Sequence, residues 1–142
     1  MSPSDVTENA KAFFAADTFA IENGMELVSV SPGRATVSMQ VSERHRNSHG
    51  TVHGGALFTL ADCAFALASN SHGIDAAAIN AHITYMTAAR DGILTADAEE
   101  FALNPKLASY TVTVTDEEGR KIAIFQGMVY RKTPRPGSNS NP

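Results

Sequence analysis

Two groups of residues in this 142-residue chain have the types and spacing for chemistry. Asp62 is the only charged side chain in "ALFTLADCAFALAS", Ala56 to Ser69. No Lys or Arg lies within four residues of it on either side, and at helical spacing it shares a face with Phe58, Thr59, Phe65 and Ala66. Burying an unpaired carboxylate costs on the order of several kcal/mol. Either Asp62 reaches the surface as a core acid, or the apolar setting raises its pKa and makes it a poised base. The second group, Asn47-x-x-Gly50-x-x-His53-Gly54-Gly55, immediately precedes that segment. The first N–H groups of a helix have no partner within it. Glycines let another molecule approach those groups closely, so they can polarise a carbonyl or hold an oxyanion. The plainer reading of Gly54 and Gly55 is a tight turn into the helix.

Other chemistries fit less well. His45, His49 and His53 are spaced by four, as helical metal ligands would be. Asn47, Ser48 and Gly50 lie between them and break a helix, so no metal site is expected. Cys63 follows Asp62 by one residue and therefore points about 100° away from it. It reads as a small core residue, and one cysteine permits no intrachain disulfide. The chain has no G-x-S-x-G elbow, P-loop or G-x-G-x-x-G. A net charge of −4 argues against a polyanion partner, while leaving room for a local basic site.

The elements that must position these residues can be read in order. A helix is expected from Ser4 or Asp5 to Asp17, with Val6, Ala10, Phe13 and Phe14 as its stripe. "MELVSVSPGRATVSMQV" reads as two strands around the turn Ser31-Pro32-Gly33-Arg34. After a charged loop, Ser42 to Val52, a long apolar helix runs from Gly54 to Asn70. Four strands follow, the last two joined by a hairpin at Asp116 to Gly119. The order predicts an α+β fold with a largely antiparallel sheet wrapped around the apolar helix, which must be buried all round. The open edges of a six-stranded sheet invite pairing with a second copy. Residues 1–132 are expected to form one domain and the Pro/Gly/Ser/Asn-rich stretch 133–142 a disordered tail. The start of the chain does not read as a signal peptide and no segment is long enough to span a membrane, so a cytoplasmic protein is expected.

Asn47, Gly50 and His53-Gly54-Gly55 at this spacing, followed by Leu60-Ala61-Asp62, resemble the hotdog-fold acyl-CoA thioesterases. "LADCAFALASNSHG" is most similar to their phenylacetate-degradation, PaaI-like branch. The resemblance implies that Asp62 is the catalytic carboxylate, as general base or nucleophile, and that the Gly54 N–H polarises the thioester carbonyl. It implies that Asn47 orients substrate or water, that His53 orders the loop, and that Gly55 belongs to the same substrate-binding turn. Many relatives carry Ser or Thr where this chain has Ala78; Asn80 and His82 on the same strand are the candidates to replace it. Arg90 and Lys106, both in turns, are candidates for the coenzyme A phosphates. No cofactor is implied. A thioester needs only a base or nucleophile and a polarised carbonyl.

Gly54 and Asp62 are eight residues apart on one helix, hence ~12 Å along its axis. One chain therefore cannot easily bracket one carbonyl with both. A homodimer that shares its sites can, and the resemblance extends this to a dimer of dimers, a homotetramer. Aryl-acetyl groups, such as phenylacetyl or hydroxyphenylacetyl, are the expected acyl class, with Phe58, Phe65, Tyr85 and Met86 as pocket candidates. The alternative is a non-catalytic acyl-CoA-binding regulator or subunit on the same fold, which has no need of Asp62. A hydratase ranks last, because no Asp–His pair of the required spacing follows the helix start.

Overall fold

Helix α1 spans Pro3–Ala15 in the computed structural model, which describes residues 1–132. The expectation for 133–142 lies outside the described residues. The cap is Ser2, not Ser4 or Asp5. Its hydroxyl accepts from the Asp5 N–H while the Asp5 carboxylate accepts from the Ser2 N–H, and Pro3 supplies a preset first turn. The helix also stops earlier than expected. Asp17 begins a second short helix, α2 (Thr18–Glu22), its carboxylate accepting from the Ala20 N–H at 3.0 Å.

The remaining elements follow the expected order: β1 (Met25–Ser31), β2 (Arg34–Gln40), α3 (Gly54–Ser69), β3 (Ala76–Tyr85), β4 (Ile93–Leu103), β5 (Leu107–Thr115) and β6 (Lys121–Arg131). The β1–β2 turn needs Gly33, whose φ is +76°. All pairings are antiparallel, in the order β1-β2-β4-β5-β6-β3. Strand β2, β4 as far as Glu100 and β5 from Tyr110 onward alternate between buried and more exposed residues. Val37, Met39, Leu94, Ala96, Val112 and Val114 point inward onto α3 and are fully buried. Helix α3 returns Leu57, Leu60, Ala61, Ala64, Phe65, Leu67 and Ala68 to that core. This is the hotdog arrangement, a curved sheet around a central helix. Among the described residues no helix is long and apolar enough to cross a membrane.

Helix α3 is tied to the edge strand β3 at both of its ends. The Tyr85 hydroxyl donates to the Gly54 carbonyl at 3.1 Å, and the Asn70 side chain exchanges hydrogen bonds with the backbone of Ala76. The expectation of a helix buried all round is corrected here. Gly55 is exposed, and Thr59, Asp62 and Ala66 are half-buried, at spacings of three and four residues. They form one uncovered stripe. Among the described residues, six strands and two short helices are too few to close the last side, because β3 ends the sheet.

Phe65 fixes how closely the helix seats. Its ring lies 5.3 Å from Phe125 and 5.8 Å from Tyr110, centroid to centroid, in tilted and edge-on geometries. Gly127 on β6 lies beneath it. A Cβ at that position would sit 2.7 Å from the Phe65 ring. Gly127→Ala is therefore expected to destabilise the fold by about 1–3 kcal/mol through overpacking. Urea unfolding of the variant checks this, with a lower midpoint at unchanged slope as the expected result.

Candidate active site

The loop between β2 and α3 is held at both ends before it reaches Gly54. His45 is almost fully buried. Its Nε2–H donates to the Asn23 carbonyl at 2.6 Å, and its Nδ1 accepts from the Ser42 N–H at 3.0 Å. Arg46 crosses to the β3–β4 loop. Its guanidinium donates to the carbonyls of Gly50 and Arg90 and pairs with Asp91 at 2.8 Å. Asn47 closes the turn between these anchors. Its Oδ1 accepts from the N–H groups of His49 and Thr51, and its Nδ2 donates to the Thr51 hydroxyl at 2.9 Å. One amide hydrogen of Asn47 remains for another partner.

At the helix start, the His53 Nδ1 accepts from the Gly55 N–H at 2.7 Å. The His53 carbonyl accepts from Ala56 and Leu57. The Gly54 N–H has no acceptor among the described residues. It belongs to the same peptide group as that doubly engaged carbonyl, so it is a polarised donor. Asp62 lies eight residues along α3 from Gly54, ~12 Å away along the axis and about 80° round it. Burial raises the Asp62 pKa, and the nearby Asp17 carboxylate raises it further; no hydrogen bond or cation opposes them. Burial, with Asp17 and Asp62 beside it, pushes the Cys63 thiol up to about 12, so it is no nucleophile at neutral pH.

A free N–H at a helix start and a base with a raised pKa suit attack on an activated acyl group. Comparison with known proteins agrees. Residues 49–123 match the family model described as the thioesterase superfamily. The acyl-coenzyme A thioesterase PaaI of Escherichia coli is 34% identical over 87% of this chain and 89% of its own. The chain belongs to the thioesterase superfamily. The solved structure of the E. coli PaaI protein from the phenylacetic acid degradation operon superposes with a TM-score of 0.87 at 32% identity. That match covers 90% of this chain and 94% of the other. A Streptococcus pneumoniae thioesterase solved with coenzyme A gives a TM-score of 0.76 at 28% identity, covering 82% and 94% of the two chains. The chain is thus a PaaI-like hotdog thioesterase.

In this thioesterase the residues expected at the site divide into two groups. Asn47, His53, Gly54 and Gly55 gather at the start of α3, and Asp62 lies on the half-buried stripe that begins at Gly55. Arg90 lies at the same end of the molecule, beside the Arg46 clamp. Asn80 and His82 do not join them. They pair across the ladder with Met128 and Gln126, on the sheet face turned away from α3. A one-residue bulge at Ile79 sets that register, and it leaves Ala78 and Ala81 on the inner face. Lys106 lies at the far end of the sheet. The eleven-residue strand β4 separates it from the Arg90 loop by ~33 Å. Phe65 is a core residue, whereas Tyr85 and Met86 are more than half exposed. His45 and His49 gather no metal-binding group with His53, since no cluster of three His, Cys, Asp or Glu side chains forms among the described residues.

Sequence reasoning missed Arg46, Asp17 and the structural part of His45. Only tertiary contact reveals their partners, which lie 22 to 45 residues away for His45 and Arg46.

Two outcomes follow from the Asp62 environment. Asp17→Asn keeps the α2 cap but removes a charge, so the acid limb of the rate profile is expected to move to lower pH. A pH–rate series on the variant measures that limb. The native pKa of Asp62 lies above its unfolded value, so stability falls as pH rises from the ordinary carboxylate range through the native pKa. Asp62→Asn is therefore expected to raise Tm at neutral pH, with the gain gone below a pH of ~4. Thermal melts at both pH values check the sign.

Proposed function

We propose that this thioesterase hydrolyses an aryl-acetyl coenzyme A, of the phenylacetyl or hydroxyphenylacetyl class, to the free acid and coenzyme A. The observation that carries the reading is the uncovered stripe of α3, which holds a donor and a base too far apart to serve one carbonyl within one chain. A second copy related by a two-fold axis supplies the missing half. The β3 edge is the natural seam. Its Ile79 and Tyr85, with Met86 just beyond its end, are 55%, 52% and 57% exposed, and among the described residues its outer backbone groups have no neighbouring strand. Antiparallel pairing of β3 with β3 of a second copy places the Lys106 end of one chain beside the Arg90 end of the other. Both cations can then serve one coenzyme A, and two such dimers can associate into a tetramer.

In this reading the thioester carbonyl accepts from the Gly54 N–H of one copy, steadied by the last amide hydrogen of Asn47. Asp62 of the other copy takes a proton from water as the oxygen attacks the acyl carbon, or attacks that carbon itself to give an anhydride that water opens. The C–S bond breaks and the thiolate leaves, taking up a proton. Phe58, Ala81, Ile83 and Tyr85 give the acyl group an apolar wall without a hydroxyl at position 78. The coenzyme A in the pneumococcal structure and the operon of the E. coli protein support the ligand and the acyl class respectively.

The shared site is tested by complementation. Asn47→Ala and Asp62→Asn are each expected to lose at least ten-fold in kcat with phenylacetyl-CoA. When the two proteins are unfolded together and refolded, about half the dimers are mixed, and in each of these one site carries neither lesion. About a quarter of all sites regain wild-type turnover, read as thiol release. No gain with mixed dimers present overturns the shared site. A panel from short aliphatic to benzoyl-CoA tests the acyl class, with the highest kcat/KM expected for aryl-acetyl groups.

A further inference from the structure

We propose that Tyr85 is a positioning residue for the thioesterase reaction, holding the first peptide groups of α3 so that the Gly54 N–H is aimed at the substrate carbonyl. The proposal rests on Gly54 as the polarising donor. Tyr85 is the last residue of β3, and its backbone end is fixed by the hydrogen bond from the Met86 N–H to the Ile122 carbonyl at 2.9 Å. From there its ring reaches across to the helix start. The hydroxyl donates to the Gly54 carbonyl at 3.1 Å, and a Cβ on Gly54 would lie 3.0 Å from the ring. Ring and glycine therefore fit as a pair: the ring occupies the space a side chain at position 54 would need.

The reason such a clamp matters lies in the dipeptide itself. Gly54-Gly55 has more backbone freedom than any other pair of residues. An oxyanion donor works only if it is already oriented when charge develops on the carbonyl oxygen. Two side chains restrain this dipeptide from opposite sides. His53 takes the Gly55 N–H and Tyr85 gives to the Gly54 carbonyl. The Gly54 N–H is left as the one group not engaged.

The test uses the full chain with phenylacetyl-CoA. Tyr85→Phe keeps the ring and removes only the hydroxyl. It is expected to lower kcat about 3- to 10-fold, less than the ~100- to 1000-fold typical of deleting an oxyanion donor. KM and Tm stay at wild-type values, and the acid limb of the pH profile, which reports Asp62, does not move. Gly54→Ala presses a methyl group against the ring and also lowers kcat. In that background Tyr85→Phe is expected to cost nothing further, because both changes act through one N–H. Wild-type kcat in Tyr85→Phe, or full additivity with Gly54→Ala, overturns the proposal. Loss of activity in Asp62→Asn alongside a wild-type Tyr85→Phe leaves the thioesterase reading intact and removes Tyr85 alone.

Discussion

Helix α3 is too apolar to face water, and this six-stranded sheet is too narrow to cover it on every side. That constraint organises the rest of the molecule. The strands curve because they must wrap a cylinder, and β2, β4 and β5 lay their fully buried side chains along it. Phe65 sets the distance between layers, and Gly127 exists as a glycine because that ring fills its side-chain space. What remains uncovered is one stripe along α3 and the open edge of β3, tied to each other at Tyr85 and at Asn70. Apolar surface next to an unpaired strand edge is the kind of feature a second copy can cover, as the proposed dimer does. The residues proposed to act on the thioester lie beside these two features.

Asp62 lies in the stripe at a cost. Burial and the Asp17 charge both disfavour its ionised form, and no cation or hydrogen bond offsets them. A structural acid would be expected to recruit a partner, as Asp91 does with Arg46 and Asp116 with Arg120. The absence of relief at Asp62 is what a base requires, since a carboxylate satisfied by a guanidinium is a poor proton acceptor. The same unfavourable environment that lowers stability raises basicity, which is the usual direction of the trade between stability and activity.

Much of this was legible in the sequence, and the limits have physical causes. Asp62 stands out because a lone acid in an apolar run violates a strong local rule, and Gly54 because glycine follows a helix-starting histidine. Strand order could be read because β4 to β6 alternate and their turns carry Asn, Asp and Gly. The shorter elements failed differently. Helix α2 was hidden because Asp17 could equally end α1 or cap a new helix. Asn80 and His82 were assigned to the site by alternation alone, but the bulge at Ile79 sets the register and the opposing residues on β6 fix the face. Histidine spacing suggested either metal or nothing, while the fold uses His45 as a buried tie to Asn23. Contacts of that kind depend on residues far apart in the chain and leave no local pattern.

The polar groups around the helix start show how a loop can be rigid and still leave one donor free. Asn47 turns most of its hydrogen-bonding capacity inward, Arg46 pins the loop to the β3–β4 connection, and His53 takes the second glycine N–H. Each of these bonds lies within the loop or joins it to the scaffold, and none consumes the Gly54 N–H. A helix normally offers several unsatisfied donors at its start, and water would hydrate them all. Here the neighbouring donors are engaged by protein, so the remaining one points in a direction the scaffold chooses. A carbonyl docking there meets one oriented dipole in place of a set of competing ones. In the proposed shared site the acid comes from beyond the reach of the same helix turn, and on that reading the chemistry and the assembly become a single geometric problem.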